Sequence, residues 1–527
     1  MNDDVIRFAL SRFGNGPVPD DFGTLSKKPL SGWIDEQLAM PAADDPATQA
    51  RLKSCRLRIH YGANPDGKWP ATDEARPLDM LDQPIEALWP LLDNTAKPRD
   101  GAERRRAMDE VIAASYIRAV HAKAQLREAM VQFWHDHFHV NANADERIMV
   151  ALPAYDRDVI RANALGNFRV MTEAVASSTA MLYYLSNQSS RAGAANENFA
   201  RELFELHTLG RDAYLNDRYD RWREVPGALN GTPDGYIDQD VYEAARAFTG
   251  WTVENGSNID GQRKLPATGR FAYVEGWHDG YQKRVLAQEF DPFAVARHDG
   301  RKVLDLVADH PATARHLAQK LCIRFIGPNP SEALASRVAE EWRRQAKAPD
   351  QIAKVVHLIA TSPEFEASRG AKVKRPIALA AGFLRMTHAD FTPTEGFHNA
   401  VTAAGQRLFG YPAPTGMPDD NEVLLGTSAL RNRWALLLGL AQNSWQTGSV
   451  NPTLAFAQTP DMEAGAYVDR WLGVFGTPTS LGADPATTAS ISGVIGLPPT
   501  VPVAGLDPRR LATLAAVAAM APAYQSA

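Results

Sequence analysis

The chain has 527 residues, of which 45% are hydrophobic and 22% charged, a composition that supports a large buried core and excludes a disordered or low-complexity protein. Its formal charge of −6 does not favour nucleic acid or an anionic membrane as a partner. Two cysteines, Cys55 and Cys322, are too few for a disulfide framework or a cysteine zinc site.

The first ten residues are polar and charged, unlike a signal peptide. No apolar run approaches the roughly 18 residues that a membrane span requires. We therefore expect a protein without a membrane span that is cytoplasmic as the sequence stands. A start codon placed too late, with an export signal upstream, would instead make it periplasmic.

Helical periodicity occurs along the chain far more often than the two-residue alternation of half-buried strands. This pattern predicts a mainly α fold, a large multi-helix globular body with long irregular loops and under about 10% strand. The clearest helical stretches are 112–138, 198–209, 240–248, 312–325 and 428–440. We divide the chain into a body at 1–440, with loop insertions near 211–235 and 252–290, and a C-terminal extension at 441–527 that packs on the body.

The first candidate site is the sequence QLREAMVQFWHDHFHV at residues 125–140. On a helix, one arc of side chains carries Glu128, Gln132, His135 and His139. His137 falls on the apolar arc, so this interpretation predicts that His137 is buried, that His139 is exposed, and that the polar arc is a possible metal face. An extended chain would instead point all three histidines the same way, as strand-borne ligands do. Without a site, His137 would be an ordinary core histidine and His139 a solvated one.

The second candidate site is NENFARELFELHTLG at residues 196–210, which has the pattern of one amphipathic helix ending at Gly210. Arg201, Glu202 and Glu205 share its polar arc. The two carboxylates, at i and i+3, can bind a metal, exchange a proton or be held by Arg201. His207 projects away from that arc, so we expect it to pack or to link to another element. The ordinary alternative is a solvated face with an Arg201–Glu205 pair.

Seven motifs, in this order, resemble the bacterial domain-of-unknown-function 1800 family: FWHDHF, NENFARELFELHTLG, ARAFTGW, HDGRK, KLCIRF, SPEF and KVKRP. The resemblance covers nearly the whole chain. It implies a mainly helical protein with no established activity, often encoded beside an exported protein of the alkaline-phosphatase-like domain-of-unknown-function 1501 family. A functional link to such an exported protein is therefore expected.

Two features depart from the family pattern. The family's short stretch after the LHTLG helix is lengthened here by residues 211–234, and a further irregular segment follows Trp251. We expect both segments to cover or line a site. Residues 416–418 are Gly-Met-Pro, whereas the family usually has Gly-Trp-Pro. A ligand contact made by that tryptophan would therefore differ in this chain.

Two classes of function fit these observations. The first is a metal- or carboxylate-dependent hydrolase with a buried His/Glu/Arg site and an unknown substrate. Its predicted ligands for a divalent metal are His135, His137, Glu202 and Glu205. Its predicted catalytic residues are Glu202, Glu205, Arg201, Asp240 and His298. The alternative is a non-enzymatic assembly or maturation partner of the exported protein, and a glycosidase with paired carboxylates is a third possibility.

Overall fold

The computed structural model describes residues 1–95, 98–450, 461–476 and 485–527. It is 55% helical and 8% strand, so the predicted mainly α fold with little strand is confirmed. Within these ranges, the strands form three separate antiparallel pairs, and the two strands of each pair follow each other in the chain.

The first ten helices are α1 Asp3–Arg12, α2 Pro19–Leu25, α3 Leu30–Ala39, α4 Pro46–Ser54, α5 Ile85–Leu88, α6 Gly101–His121, α7 Gln125–His137, α8 Glu146–Ala154, α9 Phe168–Ala176 and α10 Thr179–Tyr184. The next nine are α11 Glu197–Glu202, α12 Asp238–Ala247, α13 His298–Asp309, α14 Pro311–Phe325, α15 Glu332–Arg344, α16 Gln351–Ala360, α17 Pro363–Ala367, α18 Pro376–Met386 and α19 Glu395–Ala403. The last six are α20 Asn421–Leu425, α21 Thr427–Ala441, α22 Ala464–Val474, α23 Pro485–Gly493, α24 Pro508–Ala518 and α25 Pro522–Gln525.

The three strand pairs are β1 Arg56–Tyr61 with β2 Thr72–Pro77, β3 Trp251–Asn255 with β4 Ala267–Tyr273, and β5 Lys283–Val285 with β6 Gln288–Phe290. Their registers place Arg56 opposite Pro77, Trp251 opposite Tyr273 and Lys283 opposite Phe290. Two further helical segments, Tyr155–Arg161 and Leu203–His207, are π-helical.

The predicted helix at 112–138 is two helices, α6 and α7. Ala122 is extended, with φ −60° and ψ 140°, and therefore ends α6. The side-chain amide of Gln125 donates to the Ala122 carbonyl at 2.8 Å, which satisfies one of the free carbonyls that a helix end leaves.

The predicted helix at 198–209 also changes character, because α11 continues into the π-helix Leu203–His207. A π-helix has more residues per turn than an α-helix, so side chains beyond the transition rotate away from their α-helical positions. Gly210, with φ +87°, follows this segment. The change of winding determines where His207 points.

Helix α7 lies inside the hydrophobic core, and all of its residues except Gln132 and Asp136 are buried. Trp134 is fully buried, stacks on Phe138 and donates its indole N–H to the Ala164 carbonyl at 2.9 Å. Burying a charged or titratable group without a partner costs a free energy on the order of several kcal/mol. The histidines and carboxylate of α7 must therefore find partners within the protein.

The two loop insertions contact each other beside α12. Gln288 on β6 donates to the Gly231 carbonyl at 3.0 Å, and the Leu286 amide donates to the Asp240 carboxylate at 2.7 Å. At the other end of the chain, the Tyr524 hydroxyl donates to the Leu379 carbonyl at 2.8 Å. The division of the chain at residue 440 stays a prediction.

Among the described helices, none combines the length and the apolar character that crossing a membrane requires.

Candidate functional site

His135 is part of a buried network of ion pairs. Its Nε2–H donates to Asp156 Oδ1 at 2.8 Å, and the other oxygen of Asp156 accepts from Arg161 Nε at 2.9 Å. Arg161 also donates to both oxygens of Glu128, at 2.8 and 2.7 Å. All four side chains are less than 10% exposed. We call these four residues the dyad network.

The dyad network depends on the π-helix Tyr155–Arg161. Pro153, inside α8, has no N–H to donate, and the π-helix begins two residues later. In a π-helix the backbone hydrogen bonds join residues i and i+5, so Asp156 and Arg161, which are five residues apart, lie close together. Burial disfavours the Asp156 carboxylate, but the positive charge of Arg161 and the hydrogen bond from His135 more than offset it, so the pKa of Asp156 lies well below its usual value.

A pocket of about 40 Å³ lies beside this network. Its polar lining includes Ser115, Glu128, Gln132, His135, Asp136, His139, Arg161, Arg375, Gln406, Arg407 and Tyr411. The Nδ1 atom of His135 has no hydrogen-bond partner among the described residues. Because Asp156 accepts the proton on Nε2, the neutral ring keeps a lone pair on Nδ1, in a side chain that lines the pocket.

His137, two residues further on, belongs to a different group of side chains. Its Nε2–H donates to the His207 carbonyl at 3.0 Å, and His207 Nδ1–H donates to the His137 carbonyl at 2.9 Å. His316 lies beside them and donates to the Leu206 carbonyl at 3.2 Å. Burial lowers the pKa of all three imidazoles, and the charge of nearby Lys320 lowers it further. The three histidines are therefore held neutral.

Next to these histidines lies a group that we call the cation cluster: the cations Lys320, Arg324, Lys372 and Arg375 with the carboxylates Asp136 and Asp419. One oxygen of Asp419 accepts from Arg324, Lys372 and Arg375, each at 3.2 Å. Arg375 also donates to Asp136 at 2.5 Å. Arg375 and Asp136 line the pocket, so the cation cluster and the pocket share a wall.

Gly416 fixes how closely two of these segments approach. Its φ is +66°, and a Cβ at this position would lie 2.2 Å from the Asp136 carbonyl oxygen. Glycine is therefore required there for both conformation and space. The neighbouring Met417 lines the pocket.

The predicted carboxylate face of α11 is not part of the dyad network. Arg201 donates to Asp238 at 3.3 Å and to Glu197 at 3.1 Å. Glu205 accepts from Arg211 at 2.5 Å. Glu202 is half-buried, and its pKa is raised by burial and by the charge of Glu205. Arg201 and Glu205 thus pair with their own neighbours, and the predicted roles of all three residues in catalysis stay predictions.

The other two predicted catalytic residues also lie elsewhere. Asp240 is buried and accepts the backbone N–H groups of Ile237 and Leu286, at 3.0 and 2.7 Å. These contacts begin α12 and attach the β5–β6 hairpin to it, while burial raises the pKa of Asp240 to about 6. His298 is exposed at the start of α13. Neither residue lines the pocket.

The structure gives no support for the predicted metal-ligand set, because the hydrogen bonds of His135 and His137 go to Asp156 and to the His207 backbone. The described parts of the chain contain no group of three or more His, Cys, Asp or Glu side chains placed to hold a metal ion. Whether Glu202 and Glu205 act as ligands stays untested.

The end of α7 and the π-helix Leu203–His207 contact each other through the reciprocal hydrogen bonds of His137 and His207. His137 is 1% exposed, so its predicted burial is confirmed. The prediction that His139 is exposed is wrong, because it is only 4% exposed. Helix α7 ends at His137, and His139 Nε2–H donates to the Tyr411 carbonyl at 2.9 Å. The insertions were predicted to cover or line a site, but the pocket lining lies within 115–161 and 375–417.

Asp156 and Arg161 were not predicted from the sequence, and neither was a role for the residues of the cation cluster. A weak signal was present, since YDRDVIR places four charges directly after the apolar run IMVALPA. The basic residues of KLCIRF and KVKRP stand beside apolar residues in the same way. Charges next to buried positions predict ion pairs, but not which residues form them.

The sequence profile of the family described as "Protein of unknown function (DUF1800)" matches residues 8–526. No curated protein and no solved structure matches the chain. The match covers nearly the whole chain, and the motifs that carry the resemblance supply His135, His137, His207, Lys320 and Arg375. The chain therefore belongs to the DUF1800 family, and several of the family's motifs converge on the pocket and the cation cluster.

Proposed function

We propose that the protein is a hydrolase that uses His135 as its general base, in the class of carboxylate-dependent hydrolases with a buried His/Glu/Arg site. The observation that carries this proposal is the His135–Asp156 pair at the wall of the pocket, with Nδ1 of His135 unpartnered among the described residues. A histidine oriented by a buried carboxylate is a recurrent general base.

The pocket supports this chemistry in three ways. Its volume of about 40 Å³ holds a few water molecules and little more, so the scissile group enters from the mouth. His135 Nδ1 takes a proton from one of these waters, and the resulting hydroxide attacks the substrate. The imidazolium that forms is stabilised by Asp156 and returns the proton to the leaving group. Arg161 holds Asp156 in place throughout.

Arg407 supplies the charge that a polarised substrate oxygen requires. It lines the pocket, is exposed, and has no ion pair or hydrogen bond among the described residues. Its guanidinium can therefore donate to a developing oxyanion without first breaking another contact. In this scheme Arg407 contacts the substrate, whereas Arg161 and Glu128 are positioning residues.

The test is turnover of a panel of chromogenic carboxylic esters, phosphate esters and glycosides by the wild-type protein and two variants. We expect hydrolysis of at least one class, and a fall in kcat of about 100-fold or more for His135→Gln and for Asp156→Asn. The matched control is His357→Gln, because His357 is also paired with an aspartate, Asp35, but on the surface. Equal activity of folded His135→Gln and wild-type protein contradicts the proposal.

The second candidate is the assembly or maturation role, and the observation that favours it is an apolar surface on the second insertion. Tyr281, Phe293 and Val295 are 68%, 75% and 80% exposed, and the first two rings pack edge to face. Exposed apolar patches mark protein interaction sites. Co-purification with the exported alkaline-phosphatase-like protein, lost in the double variant Tyr281→Ser and Phe293→Ser while the fold is retained, would support this role.

A further inference from the structure

The cation cluster carries more positive charge than its own carboxylates neutralise. Four cations, Lys320, Arg324, Lys372 and Arg375, face two carboxylates, Asp136 and Asp419, which leaves a net charge of +2. The neighbouring histidines cannot supply negative charge, since a neutral imidazole is the most negative form that they reach. Buried and partly buried charges are ordinarily paired.

Among the described residues, Lys320 is the cation of this cluster that has no partner. It lies close enough to Asp136 and Asp419 for both charges to act on it, yet it forms no ion pair or hydrogen bond with any described residue. Its neighbours in the cluster are all paired: Lys372 donates to Asp419 and to the Ile323 carbonyl at 2.9 Å. Burial lowers the pKa of Lys320 to about 8, in the direction expected for an ammonium short of negative charge.

The cluster is open to solvent on one side. The side chain of Asp136 is 27% exposed and that of Asp419 is 18% exposed, while Lys320 is partly exposed. A small ligand can therefore reach Lys320 without unfolding the surrounding helices. Guanidinium and ammonium groups that converge in this way are the donors that bind phosphate and sulfate groups.

We propose that the cation cluster is a binding site for a phosphate or sulfate group, with Lys320 as its principal donor and Arg324 beside it. The oxyanion would balance the excess positive charge of the four cations and accept hydrogen bonds from the ammonium group of Lys320. This inference goes beyond the proposed hydrolase, because the site stands even if the pocket proves inactive.

The test is calorimetric titration of the full chain with inorganic phosphate, with sulfate and with phenyl phosphate. We expect binding by the wild-type protein and a loss of affinity of about tenfold or more for Lys320→Met, the order expected when one charge-assisted hydrogen bond is removed. Lys320→Arg should retain binding. The matched control, Arg315→Met, deletes an exposed charge from the same helix and should change affinity less than twofold, since long-range charge effects are screened.

Comparing the three ligands distinguishes a free oxyanion from one that is carried on a larger molecule. Tighter binding of phenyl phosphate assigns the site to a group carried on a larger ligand, and tighter binding of inorganic phosphate assigns it to the free ion. No binding of any of the three, or equal binding by Lys320→Met and wild type, overturns the inference.

A second measurement needs no variant. Phosphate should slow acetylation of Lys320 by acetic anhydride, relative to exposed Lys347, as read by mass spectrometry of the wild-type protein. Unchanged labelling of Lys320 at saturating phosphate would also overturn the inference.

Discussion

His135 and His137 are two residues apart on one helix, yet they face regions that treat charge differently. In the dyad network, each oxygen of Glu128 and Asp156 accepts a hydrogen bond from Arg161 or His135, so every carboxylate oxygen there has a partner. In the cation cluster, two carboxylates serve four cations and Lys320 has no partner among the described residues. The first region therefore satisfies its own polar groups and orients a base, whereas the second leaves one cation that an anion from solution could pair with.

The largest expected effect on stability comes from removing an ion-pair partner in the dyad network. Arg161→Met removes the partner of two buried carboxylates, and the loss of one partner from a buried ion pair typically costs about 3–5 kcal/mol. We therefore expect the free energy of unfolding, measured by urea denaturation, to fall by that amount. A fall of under about 1 kcal/mol, the range of exposed pairs, would show that this network is not buried as described.

The second effect concerns the wall that the two regions share. Gly416→Ala adds a Cβ that would meet the Asp136 carbonyl and places alanine at φ +66°, so we expect a loss of about 2–4 kcal/mol from the clash and the strain together. The control is Gly370→Ala, at φ +75° with no atom within 4 Å, where only the strain of about 1 kcal/mol applies. Equal losses of stability in the two variants would mean that the close contact between Gly416 and the Asp136 carbonyl does not contribute to stability.

The third effect is a pH dependence of stability that comes from the buried imidazole of His207. Burial and Lys320 lower the pKa of His207 to about 3, against about 6.5 in the unfolded chain. The unfolded state therefore binds more protons, and the stability that His207 contributes is present above pH 6.5 and lost as the pH falls towards 3. The expected slope is about 1.4 kcal/mol per pH unit from this group alone.

The variant His207→Asn tests that slope, because its amide can still donate to the His137 carbonyl but does not titrate. Between about pH 6 and pH 5, where ordinary carboxylates are still mostly ionised, the stability of this variant should fall less steeply than that of the wild type. The control is His357→Asn, which makes the same replacement at a side chain that is 40% exposed, and so measures any general effect of replacing a histidine with asparagine. Parallel curves for His207→Asn and wild type would contradict the assignment of a neutral, buried His207.

The smallest expected effect is on stability in the cation cluster. Lys320→Met removes a cation that has no partner among the described residues, so the free energy of unfolding should stay within about 1 kcal/mol of the wild type or rise. The same substitution to methionine thus gives opposite outcomes at Arg161 and at Lys320. A loss of several kcal/mol at Lys320 would show that the two regions do not differ in the way described.

The helical pattern predicted the fold class and half of the site. The helical wheel grouped Glu128, Gln132, His135 and His139 on one face of α7, and these four residues line the pocket. It also placed His137 on the apolar side, where it is buried. These predictions succeeded because α7 is a regular α-helix as far as His137. The wheel failed for the exposure of His139, which lies beyond the end of that helix.

The partners of these residues could not be predicted, for two physical reasons. The wheel assumes α-helical winding, whereas Asp156 and His207 lie in π-helices that rotate side chains out of that register. Arg375 and Asp419 lie more than 200 residues from Asp136 in the chain, so only the tertiary fold brings them together. Glu202 and Glu205 were singled out for their spacing, which says nothing about what packs against them.

The central claim is that Asp156 holds His135 with Nδ1 unprotonated, and the imidazole ¹⁵N shifts of histidine-labelled protein at neutral pH test it most directly. The account predicts that neutral His135 carries its proton on Nε2 in the wild type and that this preference is lost in Asp156→Asn. A His135 ring that carries its proton on Nδ1, or one whose shifts are the same in both proteins, would contradict the account.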